Sequence, residues 1–319
     1  MTVDLHLLGG SGRIGRALVD SLISFPINNL SAIYIYCDST KVTELDHSYG
    51  HSSAPAVHVN GYSAFHRDVF MVQPPAIRGE DQRQVVINLR GINNKQCWLN
   101  QPLDALEVQS HACRTLIDAD LWIQPGSEII QLSSQLCDLI ESDRSMDQIC
   151  EGQESYRRPY MVSRLHQEMM LSANAYQHSI VTSFLRLPAV YGFSDDQHRP
   201  WVLNAFCKER RLGLPIKPRN PDRTVYLTHR DPLLACFRSL ISTHYDSYRK
   251  RTVNYIRPPM LRLSVASLAS LVESYPVGLS AADIERLDIT LEGDTGLCST
   301  GIEFHLQLLL LSIAELLGQ

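Results

Sequence analysis

Two residues four apart, Tyr160 and Arg164, and a pair of serines, Ser133 and Ser134, are the side chains here best suited to chemistry. Positions i and i+4 share a face of a helix, so a helical segment from Tyr160 to Tyr176 sets the phenol beside the guanidinium. A fixed cation next to a phenol favours its ionised form, and a tyrosine so placed can exchange a proton with a substrate hydroxyl. Ser134 closes the apolar run Glu128-Ile-Ile-Gln-Leu-Ser-Ser134 and is suited to hold the same oxygen. A second constellation lies at the start of the chain. Gly9, Gly12 and Gly15 are spaced G-x-x-G-x-x-G, directly after the apolar run Thr2 to Leu8 and before the amphipathic run Arg13 to Val19. The first glycine of such a loop allows a tight turn and the second lets phosphates approach the backbone. The third lets helix pack on strand, and the helix N-terminus faces the negative charge. Proton exchange beside a bound dinucleotide diphosphate is the chemistry these residues could do.

The elements that must position them alternate. A second strand, Ala32 to Asp38, ends in a carboxylate suited to the ribose hydroxyls of an adenosine. That carboxylate repels a 2′-phosphate and so favours NAD over NADP, with Arg13 and Arg16 nearby as the argument for NADP. Strands are expected at Gln84–Gly91, Glu128–Ser134 and Ser179–Leu187, with a weak one near Ala56–Val59, and helices at Leu103–Ile117 and Tyr160–Tyr176. Residues 39–66 show no readable pattern. This alternation predicts an α/β, Rossmann-type, doubly wound parallel sheet, in which ligands sit beyond the carboxyl ends of the strands. After Pro188 the texture changes, with prolines at 200, 215, 218, 221, 232, 258 and 259. Residues 1–187 are therefore expected to form the dinucleotide-binding domain. Residues 188–319 form a smaller, substrate-binding C-terminal lobe, some segments of which return to the sheet.

Composition excludes several classes. With 319 residues, 44% hydrophobic and 20% charged, the chain has room for one large or one large and one small domain. A net charge of -5 offers no basic footprint for nucleic acid. Eight cysteines without a C-x-x-C pair argue against zinc and against a disulfide framework, and for a reducing, cytoplasmic setting. The first strand begins at residue 2, which leaves no room for a signal peptide. Leu306 to Leu317 is too short to span a bilayer and reads as a core or interface helix. The twelve histidines form no metal-ligand grouping, and Asp231 before Pro232 reads as a helix cap.

Taken in order along the chain, these motifs resemble the extended short-chain dehydrogenase/reductases, in particular the NAD-dependent nucleotide-sugar epimerase/dehydratase branch. The resemblance rests on the glycine loop, the Val85–Gly91 strand, Ser133-Ser134 and Tyr160 to Arg164. It continues through Leu185-Arg-Leu-Pro-Ala-Val-Tyr-Gly192, Arg223 to Asp231, and Asn254-Tyr-Ile with Leu263 to Leu268. It implies cofactor contacts from Gly9, Gly12, Arg13, Ile14, Gly15, Asp38, Leu89, Arg90, Gly91, Tyr160, Arg164 and Pro188. It implies substrate contacts from Ser134, Tyr191 and Arg223, catalysis by Ser134, Tyr160 and Arg164, no metal, and a homodimer built on the helices Leu103–Ile117 and Tyr160–Tyr176.

Three positions depart from the family pattern. Arg164 stands where the family has the lysine of Tyr-x-x-x-Lys, a swap that keeps the charge but changes its reach and shape. Ala189 stands where an asparagine helps bind the substrate diphosphate. Arg90 replaces a small residue that lines the cofactor, where it either reaches a phosphate or partly fills the pocket. Gln135-Leu136 after Ser134 cannot act as the acid–base pair of the dehydratases. What remains is redox at one carbon of a nucleoside-diphosphate sugar, by epimerisation through a keto intermediate. The alternatives are an NAD(P)H-dependent reductase of a keto sugar or other small carbonyl compound, and a non-catalytic NAD(P)-binding sensor or scaffold.

Overall fold

The computed structural model describes residues 2–49, 55–62, 82–91, 95–120, 128–141, 157–193, 201–242, 252–276, 281–294 and 301–318. In chain order, strands β1 (Thr2–Leu8), β2 (Leu30–Cys37), β3 (Ala56–Gly61), β4 (Gln82–Asn88), β5 (Glu128–Ser134) and β6 (Val181–Leu187) are interleaved with helices. These are α1 (Arg13–Ser24), α2 (Ser39–Tyr49), α3 (Lys95–Asn100), α4 (Pro102–Asp120), α5 (Leu136–Glu141) and α6 (Arg157–His178). There follow β7 (Ala189–Tyr191), α7 (Val202–Arg211), β8 (Thr224–His229), α8 (Arg230–Ile241), β9 (Val253–Ile256), β10 (Met260–Ser264), α9 (Val265–Ser274), α10 (Ala281–Arg286), β11 (Thr290–Glu292) and α11 (Ile302–Leu317). The chain divides into two compact units, Met1–Arg186 with Phe237–Ile256, and Leu187–Cys236 with Arg257–Gln319.

The first unit is a seven-stranded sheet in the order β3-β2-β1-β4-β5-β6-β9. Its recorded pairings, β1 with β2 and β4, β2 with β3, β4 with β5 and β6 with β9, are parallel. This is a Rossmann-type α/β fold, and the strand order steps outward in both directions from β1. Because helices cover both faces, a central strand must be apolar on both sides. Accordingly every residue of β1 after Thr2 is buried. Helix α1 buries Gly15, Leu18, Val19 and Leu22, the i, i+3, i+4, i+7 stripe of an amphipathic helix.

Three details differ from the sequence expectation. The strand expected at Gln84–Gly91 runs from Gln82 to Asn88. The Asn88 carboxamide oxygen accepts the Arg90 N–H at 3.0 Å, which turns the backbone out of the sheet. Residues 39–49, unreadable in sequence, form α2, whose buried residue is Leu45. Asp231 lies in the first turn of α8 rather than at its cap, and its N–H donates to His229 Nδ1 at 3.2 Å.

The second unit holds a four-stranded sheet, β11-β10-β8-β7, with β10 antiparallel to both β11 and β8 and β7 parallel to β8. Leu203, Phe206, Leu227, Leu261, Leu268, Leu309 and Ile313 belong to its core, so α7, α9 and α11 pack with the sheet. Ser264 caps α9 by accepting the Ser267 N–H at 2.9 Å. No described helix is long and apolar enough to cross a membrane.

Candidate active site

The glycine loop is built as its spacing predicts. Gly9 has φ +83°, a conformation that side chains avoid. Its N–H donates to the Tyr36 carbonyl at 2.9 Å, which fastens the end of β1 to β2. A Cβ on Gly9 would lie 2.9 Å from the Arg90 backbone nitrogen, and one on Gly15 would lie 2.5 Å from Gly10 Cα. Gly12 is the N-cap of α1 and supplies no side-chain cap. The first N–H groups of the helix, those of Arg13, Ile14 and Gly15, therefore have no intrahelical acceptor. An uncapped N-terminus under a loop with no side chain in the way fits a diphosphate. Arg16 donates to the Ser11 carbonyl at 3.0 Å and to Glu44 Oε1 at 2.6 Å, so its charge is engaged on α2. Asp38 follows β2 in an exposed position suited to ribose hydroxyls.

Leu89, Arg90 and Gly91 leave β4 on the same edge. The Arg90 guanidinium lies over the Tyr62 ring, 4.3 Å from its centroid. Asn88 Nδ2 donates to Gln131 Oε1 at 2.7 Å, and Gln131 Nε2 donates to the Leu132 carbonyl at 2.7 Å, which fixes the ends of β4 and β5 together.

Tyr160 and Arg164 occupy the first turns of α6, where Pro159 is tolerated because a first-turn N–H has no intrahelical acceptor to lose. The structure brings the pair together: the Arg164 guanidinium carbon lies 5.3 Å from the Tyr160 ring centroid. Tyr160 is half-buried, edge-on to Trp98 at 5.7 Å between centroids. Arg164 is buried, and its Nη1 donates at 3.2 Å both to the Leu132 carbonyl and to Gln167 Oε1. Its Nη2 would lie 3.1 Å from a Cβ placed on Gly91. Ser134 is buried at the end of β5, and its Oγ accepts the Leu136 N–H at 3.3 Å.

Behind these residues lies a buried ionic cluster that spacing did not reveal. Glu168, one turn beyond Arg164, accepts from Ser133 Oγ at 2.5 Å and from Arg186 Nη2 at 2.7 Å. Arg186, with no exposed surface, also donates to Asp138 Oδ1 at 2.5 Å and lies 4.3 Å from the Tyr255 ring centroid. Ser133 is also 3.7 Å from the Cys137 sulfur. Burial, with Glu168 adding to it, pushes the Cys137 thiol up to about 11, so it stays protonated and inert at neutral pH.

In the second unit Pro188 precedes β7. Tyr191 is buried, and its hydroxyl donates to the His305 carbonyl at 3.5 Å. Burial pushes its phenol up, and the side chain fills core space. Gly192, at φ +89°, presses on His229, whose Nε2 would lie 2.0 Å from a Cβ there, so only glycine fits. Arg223 is exposed, and its carbonyl accepts the Val265 N–H at 2.8 Å. Among the described residues no group of three or more His, Cys, Asp or Glu could hold a metal ion.

The sequence model of the NAD dependent epimerase/dehydratase family matches residues 5–218, which is the glycine loop, the whole Tyr160–Arg164 region and the start of the second unit. The chain belongs to that family. No curated protein matches it in sequence. Among solved structures it is similar to the UDP-glucuronic acid 4-epimerase of Bacillus cereus in complex with UDP-glucuronic acid and NAD. That likeness has TM-score 0.61 and 14% identity, and covers 98% of this chain and 99% of the other. It is similar to the UDP-glucose 4-epimerase of Thermotoga maritima with UDP-glucose, at TM-score 0.59 and 14% identity over 86% of this chain and 84% of that one. It is also similar to the PbgP3 protein of Burkholderia pseudomallei, at TM-score 0.63 and 12% identity over 99% of both chains. At such identities these likenesses concern the fold.

Within this epimerase/dehydratase family member, Glu168, Arg186, Tyr62 and Gln167 are the site-edge residues that the motif reading passed over. A signal for two of them was present. Glu168 continues the i+4 series Tyr160, Arg164, Glu168, and Arg186 is a charge set among apolar neighbours in a strand, Phe184-Leu-Arg-Leu187. A charge in a strand buried on both faces demands a partner.

Proposed function

We propose that this protein binds NAD in the first unit and carries out redox chemistry at one carbon of a nucleoside-diphosphate sugar, epimerising it at C4 through a keto intermediate. The Gly9–Gly15 loop holds the diphosphate, and Asp38 holds the adenosine ribose. Leu89, Arg90 and Gly91 line the cofactor on the other side, with Pro188 beyond β6. Bound NAD supplies a hydride acceptor and donor; the protein supplies orientation and proton handling. Tyr160 Oη takes the proton of the sugar hydroxyl, Ser134 Oγ holds the same oxygen, and Arg164 sets a positive charge beside the phenol. Arg223 pairs with substrate phosphate, and Tyr191 supports the second unit from within its core. The observation that carries this reading is the half-buried Tyr160 beside a buried cation one helical turn on, in a chain of this family.

A second reading has its own support. Arg164 is engaged by the Leu132 carbonyl and by Gln167, which suits a dinucleotide-binding protein that senses rather than turns over. Purified protein titrated calorimetrically with NAD and then incubated with a panel of nucleoside-diphosphate sugars separates the readings. An epimerase yields the epimer with no net change in the cofactor, a reductase consumes reduced cofactor, and a sensor does neither. Tyr160→Phe should abolish turnover, and Arg164→Ala should lower it by orders of magnitude. Arg164→Lys should retain or raise activity. Gly12→Val should abolish NAD binding with the fold intact, because a Cβ there meets only the Gly9 carbonyl, at 3.3 Å. Turnover that survives Tyr160→Phe would remove the mechanism.

The same reading includes a homodimer through α4 and α6. Val162, Met169 and Tyr176, seven residues apart, are exposed along α6, and Leu103 is exposed at the start of α4. Sedimentation at micromolar concentration should give twice the mass of 36.0 kDa.

A further inference from the structure

Arginine at position 90 is not required by the sheet. The β4 strand has already ended at Asn88, and the Arg90 backbone is fixed by Asn88 and by the close approach of Gly9. Its side chain is half-buried, and among the described residues its partner is an aromatic ring, that of Tyr62, rather than a carboxylate. Tyr62 directly follows β3, Asp38 directly follows β2, and both strands run parallel to β1 and β4. The glycine loop, Asp38, Tyr62 and Arg90 therefore leave the sheet at one edge. Their charges meet there: burial pushes the Tyr62 phenol up, the Arg90 cation opposes that, and Cys37 and Asp38 add to it. A guanidinium is planar and can stack on an aromatic face; here its central carbon lies over the Tyr62 ring. A purine is a flat π-system of the same shape.

We infer that Arg90, held over the Tyr62 ring, is the specificity-determining residue of the adenine end of the cofactor site, stacking its guanidinium on the purine instead of pairing with a phosphate. This rests on the reading that the first unit binds NAD. The consequence is selective: Arg90 contributes to any ligand that carries adenine and nothing to the diphosphate alone. Calorimetric titration of the full chain tests it with NAD, ADP and inorganic pyrophosphate as probes, and circular dichroism confirms that each variant is folded. Arg90→Ala should weaken NAD and ADP alike by about tenfold and leave pyrophosphate unchanged. Arg90→Lys should behave like Arg90→Ala, because an ammonium keeps the charge but has no flat face. Tyr62→Leu, which removes the support, should weaken both adenine ligands by a smaller factor. Unchanged or tighter NAD binding by Arg90→Ala would show the side chain to be idle or a plug, and would overturn the inference. So would a loss shared with pyrophosphate and restored by Arg90→Lys, which is the signature of a phosphate contact. Wild-type protein that binds pyrophosphate but neither NAD nor ADP would instead overturn the cofactor reading beneath it.

Discussion

Two buried ion clusters sit at opposite ends of the same parallel strands, and they are built differently. At the amino ends, Arg83 of β4 and Glu128 of β5 form a closed pair, Nη2 to Oε2 at 2.6 Å with both side chains 1% exposed. Ser183 Oγ donates to the other carboxylate oxygen at 2.8 Å, and the Ile241 carbonyl accepts from Arg83 at 3.4 Å. At the carboxyl ends, Arg186 carries two carboxylates, Glu168 and Asp138, drawn from two helices, and Glu168 in turn holds Ser133. The first cluster ties strand to strand. The second ties the strand end that bears Ser134 to the helix that bears Tyr160 and Arg164. In a parallel sheet chemistry gathers at the carboxyl ends, so the first cluster serves the fold and the second also serves the site.

The largest effect follows from that difference. Arg186→Met leaves two carboxylates without their cation, one of them deeply buried. Breaking a buried pair from one side costs about 3–5 kcal/mol, and this variant should sit at or beyond the upper end, measured by urea unfolding. Adding Glu168→Leu should recover most of the stability, since well-packed apolar residues often replace a buried pair at little cost. Turnover should not return with it, because Ser133 has lost its acceptor and β5 one of its ties to α6. Full activity in a refolded Arg186→Met/Glu168→Leu protein would erase the distinction between the clusters.

Arg83→Met should cost less, at the lower part of the same range of about 3–5 kcal/mol, because one carboxylate is stranded and Ser183 still bonds to it. Arg83→Met/Glu128→Leu should be close to wild type in stability and, unlike its counterpart, also in NAD affinity and turnover. A stable double variant that binds NAD poorly would show that the amino-end pair, too, acts on the site.

These clusters also show what could be read from the chain and what could not. Strands and helices of the first unit were legible because burial on both faces leaves apolar runs, as in Ala32-Ile-Tyr-Ile-Tyr36 and Val85-Val-Ile87, and because glycine spacing marks a turn that only glycine can make. Helix α2 was not, since a helix lying on the surface by Leu45 alone leaves hardly any periodicity. Tyr160 and Arg164 were legible through local spacing. Glu168 with Arg186, and Arg90 with Tyr62, were not, because tertiary folding joins residues 18 and 28 positions apart, and no local pattern encodes such a meeting. Arg90 could be flagged only as a departure, and its stacking partner lies in a stretch whose sequence gave no pattern.

The smallest effect concerns a buried side chain whose charged form is disfavoured. His305 on α11 has no exposed surface, and its ring is held below the usual histidine range, first by burial and then by the nearby His229. A histidine that resists protonation in the folded state but takes a proton readily when unfolded makes the unfolded state bind more protons as pH falls. Its contribution is therefore complete above the unfolded value of about 6.5 and is lost as pH drops below it. The midpoint of thermal unfolding should fall between pH 7.5 and 5.5, a window above that in which most carboxylates titrate. His305→Gln, uncharged throughout, should lower the midpoint at pH 7.5 but flatten its slope with pH. If His305→Gln kept the wild-type slope, the pH sensitivity would belong to another group, with His229, 3.4 Å from Asp231 Oδ2, the first to replace.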